Sequence, residues 1–162
     1  MYTIQFAKLR EDAVIPTKRD EDSDYDLYAC FDGEEFVIPP FSTRLIPTGL
    51  ISAFDKKLGV KFEERGSNTK WCGIVQAGVI DSGYRGEWLC AVYNGNPVPV
   101  HITKAADEVQ RLEDRVLVPY GKAVCQFHVR EIPRVEVVER SPEEILAVSS
   151  ERGTGKLGSS GK

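Results

Sequence analysis

The sequence predicts an all-β domain of the sandwich, jelly-roll or barrel kind, on three observations. Apolar and polar residues alternate at Tyr2, Ile4 and Phe6, at Leu58, Val60 and Phe62, and at Cys125, Phe127 and Val129. That period of two belongs to strands with one face on a core. Short continuous apolar runs of strand length occur at 36–38 and 88–93. Turn formers separate these segments: Asp32-Gly33, Pro39-Pro40 and Asn94-Gly95-Asn96-Pro97. Many short strands at such spacing mark closed or two-layered β folds.

A chain of 162 residues suits one domain with a real core, here residues 1–150. Two stretches depart from the strand pattern. Residues 104–115 carry Ala105, Val109 and Leu112 at helical spacing among charges, which predicts a short amphipathic helix inserted within the sheet. Ser141-Pro142-Glu143-Glu144 has the form of a capping box with proline at the first helical position, so a second short helix follows it. Beyond Ser150 the composition turns to glycine, serine and charge. Residues 151–162 hold almost nothing to bury and are expected to form a flexible C-terminal arm. No internal repeat is present.

The net charge of −4 argues against a protein that coats nucleic acid, which needs a basic face. A small anionic ligand remains compatible, because a few local arginines can hold it. No apolar run approaches the ~18–20 residues of a membrane span, and Met1 to Arg10 lack the apolar core of a signal peptide. Cys30, Cys72, Cys90 and Cys125 form no Cys-x-x-Cys pair. Reduced thiols in or near the core are therefore expected, and with them a cytoplasmic location.

Five segments could carry chemistry. In the arm, Gly153, Gly155 and Gly158 make a Gly-x-Gly-x-x-Gly, but a dinucleotide site would need a strand before it and a helix after it. A phosphate-binding P-loop fails as well, since Lys156 stands where its first glycine belongs. What survives is Arg152 with backbone amides and hydroxyls, suited to closing over a phosphate chain. Gly78-Val79-Ile80-Asp81-Ser82-Gly83-Tyr84-Arg85-Gly86-Glu87 is compatible with a plain hairpin turn, yet it concentrates an acid, an aromatic ring and an arginine. Glu64-Arg65-Gly66-Ser67-Asn68-Thr69-Lys70 is a cationic, hydroxyl-rich loop after a strand, and Ser23-Asp24-Tyr25-Asp26-Leu27-Tyr28-Ala29 opens a strand with acids. Gln126 lies on the polar face of its strand beside His128 and Arg130. Alone, the loop would be a solvated turn, the acidic segment uninformative and Gln126 a surface residue. His101 and His128 lack metal-ligand spacing.

Taken in chain order, the five segments resemble the five motifs of the trimeric dUTPase family, over nearly the whole chain. The third motif, Gly78 to Gly86, and the fifth, Arg152 to Gly161, carry the resemblance most strongly. It implies a distorted jelly-roll, barrel-like fold and Mg²⁺-dependent hydrolysis of dUTP to dUMP and pyrophosphate, which keeps uracil out of DNA and supplies dUMP for dTMP synthesis. It also implies a homotrimer whose active sites draw on different subunits.

By the same resemblance Asp81 would orient and deprotonate the attacking water, and Tyr84 would exclude a 2′-hydroxyl. Main chain of a 78–89 hairpin, including Gly78, Val79, Ile80 and Leu89, would pair with uracil, with Gln76 as a further contact. Arg65, Gly66, Ser67, Gln126 and Arg152 would hold the phosphates, and Ser159 and Ser160 would join on closure. Leu157 and Gly158 would cover the base, and Asp26 would reach Mg²⁺ through its water shell.

Four positions depart from the family pattern. Gly66 and Ser67 are interchanged, Asp24 stands in place of glycine, residues 104–115 are an unusual insertion, and Lys156-Leu157 replaces Gly-Phe. Two other readings use the same residues. A dCTP deaminase of the same fold would rely on a glutamate near the third motif. A nucleotide-sensing interaction protein would use the insertion as its partner surface.

Overall fold

Leu58, Val60 and Phe62 all point inward, at most 3% exposed, as their alternation requires. They belong to β6 (Leu58–Glu63), which is the spine of the fold. On one side β6 pairs antiparallel with β13 (Ala123–Glu131), with Phe62 opposite Phe127 and Val60 opposite Val129. On the other it pairs with the short β8 (Val79–Asp81). With β2 (Tyr25–Tyr28) beyond β13, this makes a sheet in the order β2-β13-β6-β8. The computed structural model describes residues 2–155.

Three smaller sheets close around the core. They are β4 (Thr43–Pro47), β9 (Leu89–Asn94) and β7 (Gly73–Gln76) in the order β4-β9-β7; β11 (Gln110–Arg111), β12 (Val116–Pro119), β10 (Val100–Thr103) and β3 (Glu35–Ile38) in the order β11-β12-β10-β3; and the pair β1 (Ile4–Lys8) with β5 (Leu50–Phe54). Among the described pairs only β10 and β12 run parallel. At the centre Trp88 is fully buried and meets Phe6, Phe62 and Phe127 with ring centroids 5.0–5.6 Å apart. The contacts with Phe6 and Phe127 are edge-on, a geometry that adds to the burial of the rings. The indole N–H is not wasted, since Trp88 Nε1 donates to Ser52 Oγ at 3.0 Å.

The segment 104–115 is not the expected helix. After a turn it enters β11, where Gln110 lies opposite Leu117 and Arg111 opposite Val116. Of its apolar residues Val109 packs on the core, while Leu112 is 45% exposed. A helix so short with so little to bury is marginal. Lying along the edge of β12 satisfies the backbone instead. The second expectation holds. In α1 (Pro142–Leu146) Ser141 Oγ accepts from Glu144 N and Glu144 Oε2 accepts from Ser141 N. No residue of α1 is buried, so the capping box alone defines it.

The 78–89 stretch is also not a two-stranded hairpin. Its first strand, β8, joins β6 and its second, β9, joins β4 and β7. The chain crosses from one sheet to another, and the long-range pairings of both strands outweigh the local one.

Candidate active site

Two concavities hold the candidate residues. The first is lined by Asp26, Arg65 and Gln126 together with Thr17, Lys18, Arg19, Glu21, Asp22, Ser23 and Asp24. Register builds it. Leu27, Cys125 and Phe127 turn inward, so Asp26 on β2 and Gln126 on β13, direct partners across the ladder, turn outward side by side. Arg65 follows β6 in extended backbone (φ −87°, ψ 148°) and caps a 3₁₀ helix, Gly66–Lys70. Its guanidinium forks onto Asp26, with Nε 2.7 Å from Oδ1 and Nη2 donating to Oδ2 at 3.0 Å. Nη1 donates to Ser67 Oγ at 3.2 Å, so the interchanged serine still reaches the arginine. Gly66 is required neither for space nor for an unusual φ, since an added Cβ would meet nothing within 4 Å. Gln126 Nε2 donates to the Glu64 carbonyl at 3.0 Å.

A bidentate carboxylate–guanidinium pair is geometrically stiff, and Arg65 and Asp26 keep 26% and 30% exposure. The arginine is therefore oriented yet open to a ligand. Asp24, where the family pattern has glycine, points its carboxylate toward His128, with Oδ1 3.9 Å from Nδ1. Sequence reasoning missed the loop in front. Arg19 donates twice to Asp22, from Nε and Nη2, both at 2.9 Å. These bonds hold the Asp22 carboxyl below its usual range. Lys18 Nζ donates to Asp22 O at 2.7 Å. The adjacent cations Lys18-Arg19, seven residues before Asp26, were the signal available.

The second concavity is lined by Leu45, Ala77, Gly78, Val79, Ile80, Asp81, Tyr84, Glu87, Leu89 and Ala91. Gly78 sits at φ +74°, and a Cβ there would come 2.8 Å from Phe62 Cβ. Only glycine lets this backbone run so close to β6, where Phe62 N donates to Gly78 O at 2.7 Å. Ile80 is 8% exposed, so its neighbours Val79 and Asp81 face outward. Tyr84 Oη donates to the Glu87 carbonyl at 3.0 Å, leaving the ring 43% exposed. Arg85 braces its own turn by donating to Ser82 O and Tyr84 O. Gln76 lies outside the concavity, its Oε1 accepting from Thr43 Oγ1 at 2.7 Å.

The chain does not bring the two groups together. On β6, Gln126 pairs with Glu63 and Asp81 with Gly59. Four residues along one strand and two strands across put them roughly 16 Å apart. Arg152 bonds within its own turn, with Nε donating to Gly155 O at 3.2 Å. Leu157, Gly158, Ser159 and Ser160 lie outside the described residues.

The fold is all-β and carries two concavities, one lined by charged and polar groups and one largely apolar. The chain belongs to the dUTPase family, whose model matches residues 10–161. Deoxyuridine 5′-triphosphate nucleotidohydrolase of Clostridioides difficile is 31% identical over 166 residues, covering 99% of each chain. The Pseudomonas putida enzyme of that name is 36% identical over 132 residues, covering 79% of this chain and 74% of its own. The fold is similar to that of the Staphylococcus bacteriophage 80alpha dUTPase G164S mutant with dUpNHpp, with a TM-score of 0.73 at 22% identity over 99% of each chain.

Proposed function

We propose that this dUTPase hydrolyses dUTP to dUMP and pyrophosphate at a composite site. One copy supplies the phosphate half (Asp26, Arg65, Ser67, Gln126) and a second the nucleoside half (Gly78, Val79, Ile80, Asp81, Tyr84, Leu89). The 151–162 arm, with Arg152, comes from a third. The observation that carries this reading is the separation just described, in which the halves share no lining residue. The nucleoside half encloses ≈ 260 Å³, below the ~300–1,000 Å³ of ordinary small-molecule sites. Leu45, Ile74 and Leu89 stand 36–55% exposed on the outward face of the β4-β9-β7 sheet beside it. That apolar face suits contact with another copy.

The chemistry is in-line displacement at the α-phosphorus. The Asp81 carboxylate takes a proton from the attacking water as its oxygen bonds to phosphorus. The bond to the bridging oxygen breaks and pyrophosphate leaves with the charge. Arg65, Gln126 and Arg152 stabilise that charge with positioned donors. Peptide groups of Gly78, Val79 and Ile80 pair with the edge of uracil, and cytosine would mismatch them. The Tyr84 ring fills the space a 2′-hydroxyl would need.

Enzymes of this family depend on Mg²⁺ in general. The residues fit the ion as an outer-sphere guest, because both Asp26 oxygens already accept from Arg65 and can reach it through water. When bound, Mg²⁺ neutralises phosphate charge and fixes the conformation of the triphosphate. Glu87 does not suit a deaminase role, since Oε1 accepts from Gly49 N at 2.7 Å and faces Arg10. With Cys30, Cys90 and Cys125 buried as free thiols, the same reading puts the protein in the cytoplasm.

A pyrophosphate-release assay against dUTP, dCTP, dTTP and UTP tests the activity. The composite site is tested by mixing Asp81→Asn chains with chains ending at Ser150. Activity should reappear in mixed assemblies, and a fully active monomer on sedimentation would end the shared-site reading.

A further inference from the structure

Residues 104–115 take no part in the chemistry above, yet one of them reaches the element that carries the phosphate half. Arg111 on β11 crosses to the end of the 3₁₀ helix. Nη1 donates to the Lys70 carbonyl at 3.3 Å and Nη2 to Asn96 Oδ1 at 2.7 Å. Asn96 Nδ2 in turn donates to the Trp71 carbonyl at 2.8 Å, and Gly95 N to the Cys72 carbonyl at 3.0 Å. Three successive carbonyls, of Lys70, Trp71 and Cys72, are thus held from one side. Cys72 has φ +52°, a left-handed conformation that persists only where its surroundings over-determine it.

The other end of this helix bears Arg65 and Ser67. Between the two ends, Asn68 is buried and its Nδ2 donates to the Val124 carbonyl at 3.0 Å, two residues before Gln126. A 3₁₀ helix of Gly66–Lys70 is already longer than such helices usually run unaided. It is pinned at its middle to β13 and at its end to the 104–115 segment. That pinned end lies five residues from Arg65 on the same short helix.

We propose that Arg111 is a positioning residue for the phosphate half. The 104–115 segment buttresses the 3₁₀ helix so that the Arg65 guanidinium is oriented before substrate arrives. This rests on the reading that Arg65 and Ser67 contact phosphate. A planar guanidinium can bridge Lys70 O and Asn96 Oδ1 in fixed geometry, whereas an ammonium cannot span both. Lysine is therefore an incomplete substitute.

The test compares ligands that need the phosphate half with one that does not. A non-hydrolysable dUTP analogue and deoxyuridine are titrated into wild type, Arg111→Ala, Arg111→Lys, Arg65→Ala and the Arg65→Ala/Arg111→Ala double variant. Arg111→Ala should weaken the analogue about five- to twentyfold, within the range of couplings between neighbouring residues. Deoxyuridine affinity should be unchanged, and Arg111→Lys should fall between. The double variant should bind the analogue no worse than Arg65→Ala alone, because Arg111 acts through Arg65. Equal losses for both ligands, or additive losses in the double variant, would overturn the proposal. So would an analogue affinity unchanged in Arg111→Ala. If Arg65→Ala itself leaves analogue binding intact, the phosphate assignment fails first and takes this inference with it. Should Arg111→Ala not fold, Arg111→Lys against wild type makes the same comparison between ligands.

Discussion

The ring of Tyr84 occupies the space that a side chain at Gly86 would need. A Cβ built at Gly86 collides with the Tyr84 hydroxyl and the adjoining ring carbons, while that hydroxyl is fixed on the Glu87 carbonyl. The absence of a side chain at position 86 therefore sets where the Tyr84 ring stands.

Gly86→Ala is expected to push the ring away and relax the exclusion of a 2′-hydroxyl. The ratio of kcat/KM for dUTP over UTP should fall by about tenfold or more, in keeping with ~1–3 kcal/mol for a small steric fit. Steady-state kinetics on both substrates checks this. An unchanged ratio would mean that Tyr84 does not set sugar selectivity.

Asp81→Asn should lower kcat by roughly 10²–10⁴-fold, the worth of a positioned base. Affinity for a non-hydrolysable dUTP analogue should stay near wild type, because the amide preserves the shape of the outward face of β8. Near-normal turnover would remove Asp81 from the role of base.

How much of this was legible in the sequence follows from the range of the interactions. Period-two alternation found β6 and β13 because one face of each meets the core, and that same parity turned Asp26 and Gln126 outward as partners. The 104–115 segment misled because Ala105, Val109 and Leu112 fit helical spacing, whereas the deciding factor was the open edge of β12, remote from any local pattern. The split of β8 and β9 between sheets was hidden for the same reason. Lys18 and Arg19 went unnoticed because a loop has no periodicity, and only the fold brings them to the concavity that holds Asp26 and Arg65.

Acid stability should depend on Tyr120, which lines neither concavity. Its hydroxyl donates to Asp12 Oδ2 at 2.8 Å, and Cys30 Sγ lies 3.2 Å from Oδ1. The Tyr120 hydrogen bond, then that of Cys30, holds the Asp12 carboxyl below its usual range. A lowered folded-state pKa stabilises above the unfolded value of about 3.9, and that stability is lost as pH falls through the folded value. Tyr120→Phe should therefore begin acid unfolding at a higher pH than wild type, followed by circular dichroism. Coincident acid transitions would show that the pair contributes nothing.

By the resemblance of its fifth motif, Leu157 would stand where the family has phenylalanine. Base–aromatic stacking is worth ~1–3 kcal/mol, so Leu157→Phe should tighten a non-hydrolysable dUTP analogue severalfold. Leu157→Gly should weaken it without altering the preference for uracil over cytosine. Calorimetry that finds all three proteins equal would place Leu157 away from the base.

The parallel pairing of β10 with β12 limits how this chain can change over evolutionary time. Antiparallel neighbours tolerate a two-residue link, but parallel ones need a return path of about a dozen residues or more. Residues 104–115 are that path, and they are barely long enough for it. Apart from Arg111, which reaches Lys70 and Asn96, their composition can drift, and their length can grow, since closing a longer loop costs little. Shortening is a different matter, because it would pull β12 out of register with β10 and uncover Val116 and Val118. Relatives that lack this stretch are thus expected to join the two strands by another route rather than by a trimmed version of the same one.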